Sequence, residues 1–307
     1  MEVSKNIVLA HGNCTDGQAA SYLMYLYFKV LKEKTEFIAV NYNEPIPDVT
    51  NKNVYIVDFS YSPEVLETAS RVAKSITMLD HHLTASQQWG SYRRFIHKCT
   101  GGCDIHITIE EHESGAGLTL EWIKNKVKAY KINTTIFEHK FLNKVINSVE
   151  DRDLWLFQIP ETKVIHEALQ VIPRTFEAWD NFIFDQTESE IELSLIRAGY
   201  YLEIKESLAQ RYAEKHQMID FSGYKIPVVN CPGESASRVG EILAVDHPFA
   251  LTFSVNTSKI NCSLRSNSKT GIDVSEIAKK FNGGGHRAAS GMLLKPLQLI
   301  DLLDSKL

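Results

Sequence analysis

The first 80 residues alternate short apolar runs with longer segments whose apolar positions recur at helical spacing. Runs rich in β-branched and aromatic residues predict strands at residues 6–10, 36–40, 53–58 and 75–79. Helical spacing predicts helices over residues 17–33 and 63–74, the second beginning at Pro63, which suits a first helical turn. Strand–helix alternation of this kind favours a parallel, doubly wound sheet.

The rest of the chain has a different pattern. A helical stripe from Phe137 to Val149 runs into the acidic sequence Glu150-Asp151-Arg152-Asp153, and a charged helical pattern without proline covers residues 189–219. Strands are then predicted at residues 225–230, 249–256 and 259–264, with helices at 237–245 and 274–281. We therefore predict an α/β protein whose N-terminal domain (1–188) holds a doubly wound, mainly parallel sheet. A helical linker (189–221) and a smaller α/β C-terminal domain (222–307) follow.

Composition restricts the class of protein further. The chain has 307 residues, with 33 Lys and Arg against 38 Asp and Glu, a formal charge of −5. This mild acidity argues against a protein that coats long duplex DNA or an anionic membrane through bulk charge. The five scattered cysteines indicate reduced thiols, and no apolar run is long enough for a secretory signal or a membrane span. We expect a cytoplasmic protein.

Acids and imidazoles follow three of the predicted strands. His11 and Asp16 come after the first strand, Asp58 ends the third, and Asp80-His81-His82 follows the fourth. Ligands of open parallel sheets bind beyond the carboxyl ends of the strands, so these side chains should meet at one edge. Taken singly, each has an ordinary alternative role: Asp16 as a helix cap, Asp58 as an exposed strand end, and the two histidines as an interior pair.

Together these residues form a candidate metal site. His11, Asp16, Asp58 and His81, with either Asp151 or Asp153, supply two imidazoles and three carboxylates, enough for two ions about 3.5–4 Å apart. Carboxylates suit hard divalent ions, while imidazoles shift the preference from Mg²⁺ toward Mn²⁺ or a similar transition metal.

Two of these segments, together with a third motif near the end of the chain, resemble a known family. Val57-Asp58-Phe59-Ser60, Leu79-Asp80-His81-His82 and the later Gly283-Gly284-Gly285-His286 resemble, in order, the motifs of the DHH phosphoesterase superfamily with a DHH-associated C-terminal domain. The resemblance covers nearly the whole chain. It implies a metal-dependent phosphoester hydrolase similar to the nanoRNases and cyclic-dinucleotide phosphodiesterases.

The resemblance also implies a role for each residue. Asp58 would bridge two ions, His82 would contact the scissile phosphate, and Asp80 would orient an imidazole. Further metal ligands would be His11, Asp16, His81 and Asp151, the last preferred to Asp153 because of its distance to Leu154-Trp155. Arg265 and His286 would bind the distal phosphate or base of the substrate across the cleft between the domains, and the run Gly283, Gly284 and Gly285 would let a phosphate approach the backbone. The glycine run alone is more typical of a turn that ends a helix, and the basic residues Arg265, His286 and Arg287 are what favour a phosphate-binding role.

One position departs from the family pattern. Cys14 stands where the family has the first of two acids, so Cys14-Thr15-Asp16 replaces an acid pair. If Cys14 is a ligand, its thiolate would favour Zn²⁺ or Fe²⁺ over Mn²⁺. If it is not, one of the two ion sites lacks a ligand.

The leading hypothesis is a metal-dependent phosphohydrolase that uses a metal-activated water to cleave phosphodiester bonds. The expected substrates are short single-stranded oligonucleotides or small, including cyclic, nucleotides. Three alternatives remain: a phosphomonoesterase of the adenosine bisphosphate type, an inorganic pyrophosphatase, and a non-catalytic nucleotide- or RNA-binding protein. A homodimer is compatible with the sequence.

Overall fold

The structure is a computed structural model of the 307-residue chain. It describes residues 4–12, 14–42, 44–90, 94–98, 103–130, 135–256, 259–267 and 271–304. Two compact units are present, one over Met1–Gly199 and the other over Tyr200–Leu307.

The first unit is built on a six-stranded sheet with the strand order β2-β1-β3-β4-β6-β5. Five strands are parallel, and only the edge strand β5 is antiparallel to its neighbour. The α/β class and the mainly parallel sheet predicted from the sequence are therefore confirmed. The strands are β1 (Asn6–His11), β2 (Thr35–Val40), β3 (Asn53–Val57), β4 (Ser75–Asp80), β5 (Arg94–Lys98) and β6 (Asp104–Ile109).

Helices cover both faces of this sheet. Along β1, Val8 belongs to one apolar core while Ile7 and Leu9 belong to the other, because successive strand residues point to opposite faces. One core is formed with α1, α4, α5 and α6, and the other with α2 and α3. The helices are α1 (Thr15–Leu31), α2 (Pro63–Ser70), α3 (Leu83–Trp89), α4 (Gly115–Tyr130), α5 (Lys140–Asp153), α6 (Thr162–Val171) and α7 (Phe176–Asp180).

The long helix α8 (Glu188–Ala213) includes the boundary between the two units. The helix predicted over residues 189–219 is too long, because Gln217–Phe221 forms a strand, β7, paired with the next strand. Alternating exposed and buried positions in that strand, with Ile219 and Phe221 buried, explain the change from helix to strand.

The second unit carries a six-stranded sheet in the order β11-β12-β10-β9-β8-β7, in which only β8 and β9 are parallel. Its other strands are β8 (Tyr224–Asn230), β9 (Ala250–Val255), β10 (Ile260–Arg265), β11 (Gly284–His286) and β12 (Ala289–Leu294). Its helices are α9 (Ala236–Ala244), α10 (Val274–Lys279) and α11 (Pro296–Leu303). Among the helices described in either unit, none is both long enough and apolar enough to cross a bilayer.

Candidate metal centre

Asp58 lies at the centre of a buried cluster at the carboxyl edge of the first sheet. It directly follows β3, with a left-handed backbone (φ 53°), and is fully buried. Its Oδ2 atom accepts a hydrogen bond from the Cys14 thiol at 3.3 Å and lies 3.6 Å from His11 Nδ1. Its Oδ1 atom lies 3.2 Å from His81 Nε2. The ends of β1, β3 and β4 therefore converge on a single carboxylate.

A second group of donors surrounds His81. Its Nε2 atom lies 3.3 Å from Asp153 Oδ2 and 3.7 Å from Asp16 Oδ2, as well as beside Asp58. Asp16 is held in place by the first turn of α4, because its two oxygens accept hydrogen bonds from Gly115 N (2.6 Å) and Ala116 N (3.0 Å). The N-terminus of α4 thus binds a carboxylate of this chain, as its unpaired N–H groups favour.

His82 is oriented by the residue that begins the Asp-His-His sequence. Asp80 Oδ1 lies 2.7 Å from His82 Nδ1 and also accepts hydrogen bonds from the backbone N–H groups of His81 and His82. Asp80 is completely buried, and the His82 side chain is mostly buried. This contact assigns the Nδ1 proton to the Asp80 side of the ring and turns Nε2 away from Asp80.

Burial and the neighbouring groups shift the pKa values of the cluster. Burial raises the pKa of Asp58, but the nearby imidazoles of His11, His81 and His82 outweigh burial and hold it well below its usual range. Burial and the facing carboxylates raise the pKa of Asp16. For His81, burial lowers the pKa, yet Asp58, Asp16 and Asp153 raise it to about 9. Several carboxylates compete for one imidazolium, so the site attracts further positive charge.

The cluster fits divalent metal ions. Three sets of donor atoms each lie within 4.8 Å of one another: His11, Cys14 and Asp58; Asp58, His81 and His82; and Asp16, His81 and Asp153. Within the described part of the chain, the buried atoms His11 Nδ1 and Asp58 Oδ1 make no hydrogen bond. Buried polar atoms are normally satisfied, so converging donors without partners suit a cation. Asp58 belongs to two of the sets, which is the arrangement required for a carboxylate shared by two ions.

Asp151 is not part of this cluster, in contrast to the preference drawn from the sequence. Its carboxylate accepts hydrogen bonds from Gln158 N (2.7 Å), Ile159 N (3.1 Å) and Thr162 Oγ1 (2.5 Å). Burial raises its pKa, but these hydrogen bonds outweigh burial and lower the pKa below its usual value. Asp151 therefore holds the segment between α5 and α6 in place. Asp153 follows two residues later, and its carboxylate lies beside His81 instead. Two residues along a helix differ by about 200° in direction, so the two acids cannot share a role.

Cys14 has a second, structural contact. It is the N-cap of α1, and its sulfur accepts a hydrogen bond from Gly17 N at 3.3 Å. Burial and the charges of Asp58 and Asp16 raise the pKa of the thiol, so Cys14 is protonated in the metal-free protein. A bound cation would reverse this electrostatic balance.

Sequence reasoning did not identify Gly115 as part of the site. A Cβ atom at Gly115 would lie 2.4 Å from Asp58 Cβ, so only glycine permits this approach. The sequence Ser114-Gly115-Ala116-Gly117 at a helix start was the available signal, but a plain helix cap explains it equally well.

The predicted substrate-binding residues lie in the second unit. The Arg265 guanidinium donates to Ser237 Oγ (2.6 Å), Ser263 Oγ (2.9 Å) and Leu264 O (2.8 Å). Gly284 has open space around it, and Gly283 and Gly285 pack closely on β12. A Cβ at Gly283 would lie 2.2 Å from Gly291 O, and Gly285 has a positive φ of 141°. Close packing and backbone conformation thus explain why positions 283 and 285 are glycine. The His286 side chain lies outside the described part of the structure.

The C-terminal part of the chain matches a known domain family. Residues 232–306 match the family model of the DHHA1 domain. This match lies in the second unit, where the motifs of the sequence indicated a DHH-associated C-terminal domain. A curated relative, an uncharacterized protein of Acanthamoeba polyphaga mimivirus, is 26% identical over 309 residues, which cover 94% of this chain and 67% of that protein.

Solved structures show the same fold at low sequence identity. The DHH domain of a protein described as a member of the s1p family of ribosomal proteins has a TM-score of 0.59 at 13% identity, over 98% of this chain and 85% of that one. The exonuclease RecJ bound to manganese has a TM-score of 0.55 at 14% identity, over 98% of this chain and 89% of that one. A pGpG-specific phosphodiesterase of Vibrio cholerae has a TM-score of 0.50 at 11% identity, over 98% of this chain and 97% of that one. At these identities the similarity establishes the fold alone.

Proposed function

We propose that the protein is a metal-dependent phosphohydrolase that cleaves phosphodiester bonds in short oligonucleotides or small, including cyclic, nucleotides. The observation that carries the proposal is the position of Asp58, a buried carboxylate shared by His11 and Cys14 on one side and by His81 on the other. Solved structures with this fold include a manganese-bound exonuclease and a dinucleotide phosphodiesterase, which supports the choice of reaction and of Mn²⁺.

The chain's own residues would hold the cations in two sets that share Asp58. One set is His11, Cys14 and Asp58, and the other is Asp16, Asp58, His81 and Asp153. Divalent cations bound there would supply Lewis-acid stabilisation of a phosphoryl group and activate water for attack. The backbone N–H groups of Gly115 and Ala116 keep Asp16 fixed in the second set.

His82 would bind the phosphate. Burial lowers the pKa of His82, but Asp80 and Asp58 outweigh burial and raise the pKa above its usual value, which favours the imidazolium. With Nδ1–H directed to Asp80, the Nε2–H of the imidazolium is left to donate a hydrogen bond to a phosphate oxygen. Asp80 acts through His82 as a positioning residue. We assign catalysis to the domain predicted at residues 1–188 and substrate binding by Arg265, His286 and the run Gly283–Gly285 to the domain predicted at 222–307.

A hydrolysis panel with purified protein tests the proposal. Di- to pentanucleotides, cyclic dinucleotides, adenosine bisphosphate and pyrophosphate are each assayed with Mn²⁺, Mg²⁺, Zn²⁺ or Fe²⁺. The variant Asp58→Asn keeps the shape of the side chain, and asparagine tolerates the left-handed backbone at this position. We expect it to lose about 10³-fold or more of the activity. Glu67→Gln on the exposed face of α2 is the control and should retain full activity.

Each outcome of the panel favours one of the candidate functions. Cleavage of oligonucleotides or cyclic dinucleotides with dependence on Asp58 supports the proposal. Activity confined to pyrophosphate or to adenosine bisphosphate would contradict it in favour of a pyrophosphatase or a phosphomonoesterase. Binding of nucleotides without turnover under any metal would identify a non-catalytic binder, an alternative that the replacement of an acid by Cys14 favours.

A further inference from the structure

A cavity of about 460 Å³ lies in the first unit, directly beside the candidate metal centre. His11 and Cys14 form part of its wall, so a molecule in the cavity would touch two of the proposed metal donors. The rest of the wall comes from the carboxyl half of β2, the first turns of α1 and the start of α7. Small-molecule ligands generally occupy cavities of roughly 300–1,000 Å³, so one nucleotide unit would fit.

Two aromatic rings form an apolar wall of this cavity. Phe37 on β2 and Phe176 on α7 contact each other edge to face, with ring centroids 4.9 Å apart. Both line the cavity and both are partly exposed. Phe176 is fixed from behind by a stacked contact with Tyr25 at 4.5 Å. A fixed aromatic surface of this kind suits a nucleobase or ribose.

One arginine adds a positive charge beside this apolar wall. Arg174, just before α7, lines the cavity and is exposed. Within the described residues no hydrogen bond or ion pair involves Arg174, so its five donors remain open to a ligand. Gln18 and Ser21, three residues apart on α1, add neutral polar groups to the wall. Glu177 also lines the cavity and supplies the one carboxylate near Arg174 in this wall.

We propose that this cavity binds the nucleotide unit next to the scissile phosphate, with Arg174 contacting that unit's own terminal phosphate. The inference rests on the proposed function and makes it more specific, because it selects substrates that carry a terminal phosphate one nucleotide from the cleaved bond. A guanidinium binds phosphate through paired charge-assisted hydrogen bonds, whereas Glu177 opposes the same anion. Arg174 is thus a specificity-determining residue provided by the first unit alone.

The test compares two substrates that differ only in the terminal phosphate. Diadenylate with and without a 5′-phosphate is hydrolysed by the wild type and by Arg174→Ala, Glu177→Gln and Arg197→Ala. We expect Arg174→Ala to raise the KM of the phosphorylated substrate about tenfold and to leave kcat within about twofold. The KM of the unphosphorylated substrate should not change. Glu177→Gln should lower the KM of the phosphorylated substrate, and Arg197→Ala, an exposed arginine on α8, should match the wild type.

Calorimetric binding of both diadenylates in the presence of a chelator separates this inference from the proposed function. If the wild type hydrolyses diadenylate but Arg174→Ala changes both substrates equally or neither, the cavity assignment is wrong and the proposed function stands. If no turnover occurs but Arg174 determines a preference for the phosphorylated form in binding, the proposed function fails and the cavity assignment stands. Absence of both turnover and binding contradicts both.

Discussion

Gly115 lies so close to Asp58 that a Cβ atom at Gly115 would be 2.4 Å from Asp58 Cβ and 2.8 Å from its Oδ1 atom. The same glycine donates its backbone N–H to Asp16 at 2.6 Å. One position without a side chain therefore sets the distance between two carboxylates of the candidate metal centre. These contacts link the start of α4 to the first turn of α1 and to the end of β3.

Gly115→Ala should displace Asp58 and weaken metal binding. The added methyl group has no room against a buried backbone, so we expect the free energy of unfolding to fall by about 1–3 kcal/mol. Urea unfolding measures the stability, and the shift of Tm on addition of Mn²⁺ measures metal uptake. Gly199→Ala is the matched control, because among the described residues nothing outside the neighbouring backbone of its own helix lies within 4 Å of a Cβ there. In helix α8 it should stabilise the protein by about 0.5–1 kcal/mol. Equal effects of the two variants would contradict the packing argument.

Asp153→Asn should remove metal-dependent activity while leaving the apo protein folded. Asp153 Oδ2 lies 3.3 Å from His81 Nε2 and the side chain is partly exposed, so the fold does not depend on it. We expect activity to fall by about 10²-fold or more and the Mn²⁺-induced rise in Tm to shrink. Wild-type metal uptake in this variant would exclude Asp153 as a ligand.

Asp151→Asn should instead destabilise the protein and leave its metal binding unchanged. Its carboxylate accepts three hydrogen bonds that hold the segment after α5. An amide loses part of these bonds, so we expect about 1–3 kcal/mol of destabilisation in urea unfolding. The stoichiometry of bound Mn²⁺, measured by titration, should be unchanged. Loss of metal from a variant of normal stability would restore Asp151 as the ligand.

Cys14→Asp should strengthen Mn²⁺ binding. Aspartate is a good N-cap, so the cap of α1 at Gly17 N is kept while a thiol is replaced by a hard oxygen donor. We expect about tenfold tighter Mn²⁺ binding by calorimetry, and a lower preference for Zn²⁺. Cys231→Ser, at a buried cysteine of the second unit, is the control and should leave metal binding unchanged. Identical Mn²⁺ isotherms for wild type and Cys14→Asp would show that position 14 faces no ion.

Tyr22→Phe should destabilise the first unit in a pH-dependent way. The buried phenol donates a 2.8 Å hydrogen bond to Asp180, and its loss should cost about 1.5–3 kcal/mol near pH 7. Burial, and then Asp180, raise the pKa of Tyr22 in the folded state above its usual value of 10.0. A group with a raised folded-state pKa stabilises fully below its unfolded pKa and loses that contribution as the pH rises. The difference between wild type and variant should thus be constant from pH 7 to about 10 and shrink above it.

Urea unfolding at pH 7, 9 and 10.5 measures this difference. The exposed Tyr200→Phe on α8 is the comparison and should show no penalty at pH 7. A penalty for Tyr22→Phe that grows above pH 10 would contradict the assignment.

The sequence determined much of the candidate metal centre because β-strand periodicity and strand–helix alternation are local properties. They placed His11, Asp58 and His81 after parallel strands, and parallel strands share one carboxyl edge whatever the details of packing. The strands β5 and β6 and the end of α8 were not predicted, because the pairing of short segments depends on distant partners.

Only the tertiary structure places Asp153 rather than Asp151 beside His81, and only the tertiary structure brings Gly115 against Asp58. Both acids lie at the end of one helix, and their order along the chain does not say which side of α5 faces β4. That direction depends on how the buried stripe of α5, including Val145 and Val149, packs into the core. Likewise, the approach of Gly115 to Asp58 joins residues 57 positions apart. Such contacts follow from the close packing of whole elements, which no local pattern of residues encodes.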